Sequence, residues 1–154
     1  MMLDSLENNE FDRLEEQLLE ASVSFGEMTC EYTRYLLGLI QRGKLDAISS
    51  AKLELLLPYL KAGLSRERIE SDEAFRKKLK VELWQMEQQY RKTDDCFATF
   101  VRAVLYCFGT EEIWEEEGDG GTPVYLYFLI LKRILPGLRR DFISNFYSFL
   151  EHRI

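Results

Sequence analysis

Side chains that commonly do acid–base or nucleophilic chemistry are scarce in this sequence. Its single histidine, His152, stands close to the last residue, where a helix end tends to fray, whereas a general base must be held beside its partner. We therefore expect His152 to be a solvated residue near a helix C-terminus. The three cysteines, Cys30, Cys96 and Cys107, form no C-x-x-C motif and no cluster with histidine. The sequence predicts a protein that is not an enzyme and that keeps its thiols reduced.

Carboxylates are abundant, and three of them are suited to holding a metal ion. Glu15, Glu16 and Glu20 fall within one predicted helix, where they could bind Mg²⁺ together with acids from a neighbouring helix. The same spacing is common on solvated helix faces, and the Glu-x-x-His pairs of metal-binding helical bundles do not occur. The Gly-Asp-Gly-Gly stretch at 118–121 lacks the Lys-Ser/Thr of a phosphate-binding loop. A metal-dependent helical hydrolase that uses first-helix carboxylates is therefore only the alternative, and we assign no metal ligand and no cofactor.

The most distinctive segment outside the apolar pattern runs from Glu111 to Asp119. It holds six acidic residues, no basic residue and Trp114, and it runs into a glycine-rich stretch. An aromatic residue of this kind often dominates an interface, and the carboxylates would attract a basic surface. A solvated acidic turn with Trp114 packed into the core is an equally good interpretation. The candidate partner-binding residues are Glu111, Glu112, Trp114, Glu115, Glu116, Glu117 and Asp119, followed by Asp12, Glu16 and Glu20 on the acidic face of the first helix.

The charge of the whole chain narrows the choice of partners. Its 20 basic and 27 acidic residues give a net charge of −7 and a pI near 4.9, which disfavours binding to nucleic acid and to anionic membranes. The basic cluster Arg76, Lys77, Lys78 and Lys80 is interleaved with glutamates, as on an ordinary salt-bridged helix. A basic protein is therefore the expected partner.

The apolar pattern predicts helices along almost the whole chain. Apolar residues recur at three- and four-residue steps, and no segment alternates with the period of a strand. A charged connector follows Ser65, and residues 111–117 form a short acidic turn capped by Thr110. The predicted helices cover about 5–21, 24–43 with a Ser24/Glu27 capping box, 53–63 with a kink or break at Pro58, 71–90 with Ser71 as cap, 94–109, 123–135 and 138–154.

These elements predict one all-α domain that spans residues 1–154. We expect an irregular bundle of about six to seven antiparallel helices. A short α-solenoid-like stack of helical hairpins is the alternative, although no fixed-period repeat is visible. The segment 123–135 is apolar nearly all round, so we place it at the centre and expect Leu126, Phe128 and Leu129 to be buried.

Together these features predict a non-catalytic, acidic protein-binding domain that occludes a basic surface of its partner. Bacterial immunity or antitoxin-type inhibitors of nuclease toxins share this composition, and the likeness is one of composition alone. A helical adaptor or self-assembling protein is a further alternative, and the sequence leaves the oligomeric state open. The first residues lack a signal-peptide pattern, and the most apolar window, 123–131, is shorter than the roughly 20 residues that span a membrane, so we expect a cytoplasmic protein.

Overall fold

The computed structural model describes residues 2–117 and 122–153, and all the regular secondary structure in these residues is helical. The all-α class is therefore confirmed. The elements are α1 (Met2–Glu20), α2 (Phe25–Gln41), α3 (Ser50–Gly63), α4 (Arg66–Ser71), α5 (Glu73–Tyr90), α6 (Asp95–Leu105), a 3₁₀ turn (Tyr106–Phe108), α7 (Glu111–Glu117), α8 (Val124–Lys132) and α9 (Arg139–Glu151).

Side-chain caps set where individual helices begin. At the start of α2, Ser24 Oγ accepts a hydrogen bond from the Glu27 backbone N–H at 3.1 Å, and Glu27 Oε1 accepts one from the Ser24 backbone N–H at 3.2 Å. This is the predicted capping box. The cap of α5 is Asp72 rather than the predicted Ser71, because the Asp72 carboxylate accepts a hydrogen bond from the Phe75 backbone N–H at 3.0 Å.

Two short helices occupy segments that the sequence pattern assigns to a connector and a turn. Helix α4 is held by Ile69, whose side chain is fully buried. Helix α7 begins where Thr110 Oγ1, the predicted cap, accepts a hydrogen bond from the Ile113 backbone N–H at 3.3 Å. The described residues therefore form more helices than the pattern predicts, because tertiary contacts such as the burial of Ile69 order short segments that have little apolar periodicity of their own.

Helix α3 continues through Pro58 to its last residue, Gly63, so Pro58 does not end it. Leu56 and Leu60 on either side of the proline are fully buried. Their burial holds both halves of α3 against the core. This packing offsets the loss of the backbone hydrogen bond that Pro58 cannot donate.

The helices close on themselves as a bundle. Helix α1 packs against α9, from the opposite end of the sequence, and α2 contacts α3, α7, α8 and α9. A solenoid would join each hairpin only to its sequence neighbours, so these contacts favour the bundle over the stack. The core is one contiguous cluster that extends from Phe11 to Phe146. At its centre the Phe128 ring lies 4.7 Å from that of Phe11 and 5.6 Å from that of Phe142.

Helix α8 is the element that differs most from expectation. One face of the helix carries its buried side chains, Val124, Tyr127, Phe128 and Leu131. The burial of Phe128 is thus confirmed, whereas Leu126 and Leu129 are 44% and 38% exposed, so their predicted burial is wrong. The reason is that α6, α2 and α9 cover one face of α8 and leave the other open. Even this apolar helix has only nine residues, and in the described part of the chain no helix has the length and apolar character needed to cross a membrane.

Candidate binding groove

Exposed apolar side chains are concentrated in one region of the surface. Among the side chains that the structure describes, nine large hydrophobic residues are exposed. Four of these line a single groove: Trp84, Tyr106, Ile113 and Leu126. Two others, Val81 and Leu129, lie about one helical turn from Trp84 and Leu126 on the same helices. Concentration of exposed apolar surface in one place indicates an interaction site.

The groove has a volume of about 430 Å³ and is bordered by α5, α7 and α8. Two buried rings, Phe25 at the start of α2 and Tyr127 of α8, form its floor. Tyr127 stacks on the buried Tyr32 with ring centroids 4.0 Å apart, and its hydroxyl lies 2.9 Å from Thr29 Oγ1 in a hydrogen bond. Burial raises the pKa of Tyr127, which keeps its hydroxyl neutral. The floor is therefore a fixed, uncharged surface.

Trp114 joins α7 to this groove. Its ring packs on Phe25 with centroids 5.9 Å apart and an interplanar angle of 23°, and the side chain is half-buried. The sequence leaves open whether Trp114 is an interface residue or packs into the core. The structure combines the two, because the Trp114 ring packs on Phe25 at the floor of the groove and also lines the groove. Both tryptophans of the chain, Trp84 and Trp114, meet at this groove although they lie far apart in the sequence.

Arg66 fixes the segment that leads into α7. Its Nη1 donates a hydrogen bond to the Cys107 carbonyl at 2.8 Å, and its Nη2 donates to the Gly109 carbonyl and to Glu70 Oε1, both at 2.8 Å. Glu70 Oε1 in turn accepts a hydrogen bond from the Glu111 backbone N–H at 3.2 Å. These bonds tie α4 to the start of α7, so the border that α7 forms is held in place.

The borders of the groove carry opposite charges. On α7, Glu111, Glu112 and Glu115 are exposed and form no ion pair with any residue that the structure describes. On α5, Lys80 lines the groove, is half-buried and likewise has no ion-pair partner within the described ranges. The groove therefore has an apolar floor, a basic border on α5 formed by Lys80, and an acidic border on α7, whose exposed glutamates flank the lining residues Ile113 and Trp114.

The other candidate residues fall into two groups. Outside the described residues lie Asp119 and the side chains of Glu116 and Glu117. On α1, an exposed stripe with four-residue spacing consists of Asp12, Glu16 and Glu20. This α1 stripe contributes no side chain to the lining of the groove. The described part of the molecule thus presents two acidic surfaces. Leu19 is exposed beside the α1 stripe, but only the α7 surface belongs to a helix that borders the groove.

The first-helix carboxylates have separate surroundings. Glu15 is half-buried and accepts a hydrogen bond from the Thr122 hydroxyl, whereas Glu16 and Glu20 are exposed. Within residues 2–117 and 122–153, no group of three or more His, Cys, Asp and Glu side chains is placed to hold a metal ion.

Most of the groove lies outside the residues that the sequence singles out. Trp84, Tyr106 and Leu126 are not among the predicted site residues. Trp84 does carry a signal, because it follows the buried Leu83 and so lies off the apolar stripe of α5. Leu126 carries none, since every position of the segment around it is apolar and the pattern does not distinguish the covered face from the open one.

Comparisons of the chain with protein-family models, with curated proteins and with solved structures give no match. The groove and the charges at its borders are therefore the features from which a function can be inferred.

Proposed function

We propose that this chain is a non-catalytic binding domain that covers a basic surface of a partner protein. The observation that carries the proposal is the convergence of exposed apolar side chains with unpaired carboxylates. Trp84, Ile113 and Leu126 open onto one groove, and Glu112 and Glu115 belong to the helix that borders it. Protein interfaces commonly combine an apolar centre with a charged rim.

The two parts of this surface act at different stages of binding. The exposed carboxylates of α7 raise the association rate with a basic surface, an effect that weakens as ionic strength rises. Ile113 and Trp114 then lose contact with water when a partner side chain fills the groove, which slows dissociation. Because Trp114 already packs on Phe25, its ordering upon binding costs little entropy.

A nuclease toxin is the class of partner that fits this chemistry best. Proteins that bind the phosphate backbone present lysine and arginine on the surface that contacts it. Helix α7 contains no basic residue, so it can lie against such a surface without like-charge repulsion. The function proposed is therefore inhibition by occlusion, of the immunity or antitoxin type, and we place it in the cytoplasm.

Two charge-reversed variants with the same change in net charge test this proposal. E112K/E115K reverses the α7 border, and D12K/E16K reverses part of the exposed α1 stripe. Wild-type chain isolates the partner from a lysate of the source cells, and the purified partner is then titrated against all three proteins by surface plasmon resonance at several salt concentrations. Circular dichroism verifies that each variant is folded.

We expect E112K/E115K to slow association by about tenfold or more and to flatten its salt dependence, with D12K/E16K close to wild type. The partner should be a basic protein whose nuclease activity falls when an equivalent of the chain is added. Full binding by E112K/E115K at low salt would overturn the proposal. An equal loss in both variants would also contradict it, because net charge rather than the α7 border would then govern binding.

A further inference from the structure

We propose that a second copy of this chain docks on the groove about a two-fold axis, so that the chain forms a homodimer when no other partner is bound. This goes beyond the binding of a basic protein, since it assigns to the groove a second occupant, the same surface of another copy of this chain. The inference rests on the opposite charges at the two borders of the groove, on one unpaired lysine and on the exposed apolar side chains between them.

The arrangement of charge makes the groove complementary to itself. In an isologous dimer, the same surface of both copies meets about a two-fold axis. A residue on one side of this axis in one copy therefore contacts the residues on the opposite side in the second copy. A surface with one acidic and one basic border therefore places α7 of each copy against α5 of the other. A uniformly acidic surface would face its own charge and repel it.

A second copy would supply Lys80 with a carboxylate partner for an ion pair. The described residues include three half-buried lysines, of which Lys52 bonds to Asp94 at 2.6 Å and Lys132 bonds to Glu7 at 3.0 Å. Lys80 alone of the three has no carboxylate partner among the described residues. In the two-fold arrangement, the unpaired carboxylates of α7 in the second copy supply one.

The apolar centre of the surface supplies the area for association. Trp84 and Leu126 are each 44% exposed, and Val81 and Leu129 extend the apolar surface along α5 and α8. Burial of this surface against its own copy removes it from water on both sides at once. The net charge of −7 opposes association, but at physiological ionic strength that repulsion is screened beyond about 8 Å and the contacts across the groove decide the outcome.

Dimerisation and binding of a basic partner would use the same side chains. Ile113, Leu126 and the carboxylates of α7 serve both, so a bound partner excludes the second copy. The dimer is then the form of the free chain, and the complex contains one copy.

Sedimentation equilibrium of the full chain from micromolar to millimolar concentration measures the dimer directly. The variant L126E places a charge in the centre of the groove, and L55E makes the same change at a leucine of similar exposure on α3. We expect a concentration-dependent dimer for wild type, a dissociation constant raised by about tenfold or more for L126E, and a value close to wild type for L55E. Circular dichroism confirms that both variants keep their helices.

A mixing experiment tests the two-fold charge arrangement itself. K80E and E112K/E115K should each dimerise more weakly than wild type, because each places like charges against one another at both symmetric contacts. An equimolar mixture of the two variants restores opposite charges at both contacts and should recover dimer, as heterodimer, with an affinity near that of wild type.

A monomer at every concentration would overturn the inference, as would a dimer that L126E leaves intact or a mixture that recovers nothing. None of these results bears on binding of a basic partner, which is measured with the purified partner at a concentration where the chain is monomeric. Conversely, a dimer that L126E weakens and that the mixture of charge variants recovers supports the inference, even if the purified partner proves not to depend on α7.

Discussion

The closed aromatic core and the open groove are built from the same kinds of residue on some of the same helices. In the core, Phe128 of α8 contacts Phe11 of α1 and Phe142 of α9, and all three rings are almost fully buried. At the groove, Trp84 of α5 and Leu126 of α8 remain 44% exposed. The difference is that α1 and α9 cover the first region while no described element covers the second. The apolar side chains of the groove are therefore exposed because no described helix covers them, and not because the groove is built from other kinds of residue than the core.

The largest expected effect separates the two regions by stability. F128A should lower the free energy of unfolding by about 3–5 kcal/mol, because it leaves a cavity between α1, α8 and α9. W84A removes a larger aromatic group from the groove and should still cost only about 1 kcal/mol or less, since 44% of the Trp84 side chain is already exposed to water. Urea denaturation followed by circular dichroism measures both. Similar losses in the two variants would show that the groove is packed as tightly as the core.

A smaller effect concerns the ion pair that anchors the start of α2, which carries Phe25 on the groove floor. Glu27 accepts hydrogen bonds from Arg153 Nε at 2.5 Å and Nη2 at 3.0 Å, and these bonds lower the pKa of Glu27 to about 2. A carboxyl with a lowered pKa stabilises the folded state above its unfolded pKa of 4.5, and that contribution is lost as pH falls from 4.5 towards 2. E27Q should therefore lower stability at neutral pH by about 1 kcal/mol, since solvent screens a partly exposed pair.

The pH dependence of unfolding distinguishes the charge of Glu27 from its role as a capping residue. Wild type should lose its advantage over E27Q progressively below about pH 4.5. The control R153Q removes the cation and keeps the carboxylate, so it should raise the pKa of Glu27 towards its ordinary value. A difference between wild type and E27Q that stays constant down to pH 2.5 or so would show that the ion pair does not stabilise the fold.

The smallest expected effect is that of a substitution on the open face of α8, which is compared with the same substitution on the buried face. L129A should change the free energy of unfolding by less than about 0.5 kcal/mol, because Leu129 lies on the open face and leaves no buried cavity. L131A, the same substitution two positions along, should cost about 2–5 kcal/mol because Leu131 is fully buried. Thermal unfolding of the two variants side by side checks the comparison. A large loss for L129A would place that face of α8 in a packed environment.

Local features of the sequence predict local features of the structure well. The capping box of Ser24 and Glu27 forms as predicted, and Thr110 caps the short helix that follows it. Such caps involve residues three apart, so the pattern contains all the information that they need. The same applies to the helical periodicity, which excludes a sheet without reference to any distant contact.

The candidate site is predicted only in part, and α5 and α8 show why. The acids of α7 are visible as a cluster in the sequence, and Trp84 is detectable as an aromatic residue off the apolar stripe of its helix. The open face of α8 is not detectable from the sequence. Because the segment is apolar nearly all round, its hydrophobic pattern does not show which face is buried. The covered face of α8 is set by its packing against α2 and α6, which precede it in the chain, and against α9, which follows it.

The amino-acid sequence by itself determines that this chain is helical, that Ser24 and Glu27 form a capping box, and that acidic residues cluster in the segments of α1 and α7, because these properties depend on neighbouring residues and on composition. The tertiary structure alone decides that Trp84 and Trp114 line one groove, that Trp114 packs on Phe25, and that α7 rather than α1 borders it. The physical reason is that these relations are contacts between segments distant in the chain. They arise only when the bundle closes and some apolar faces are covered while others are left open.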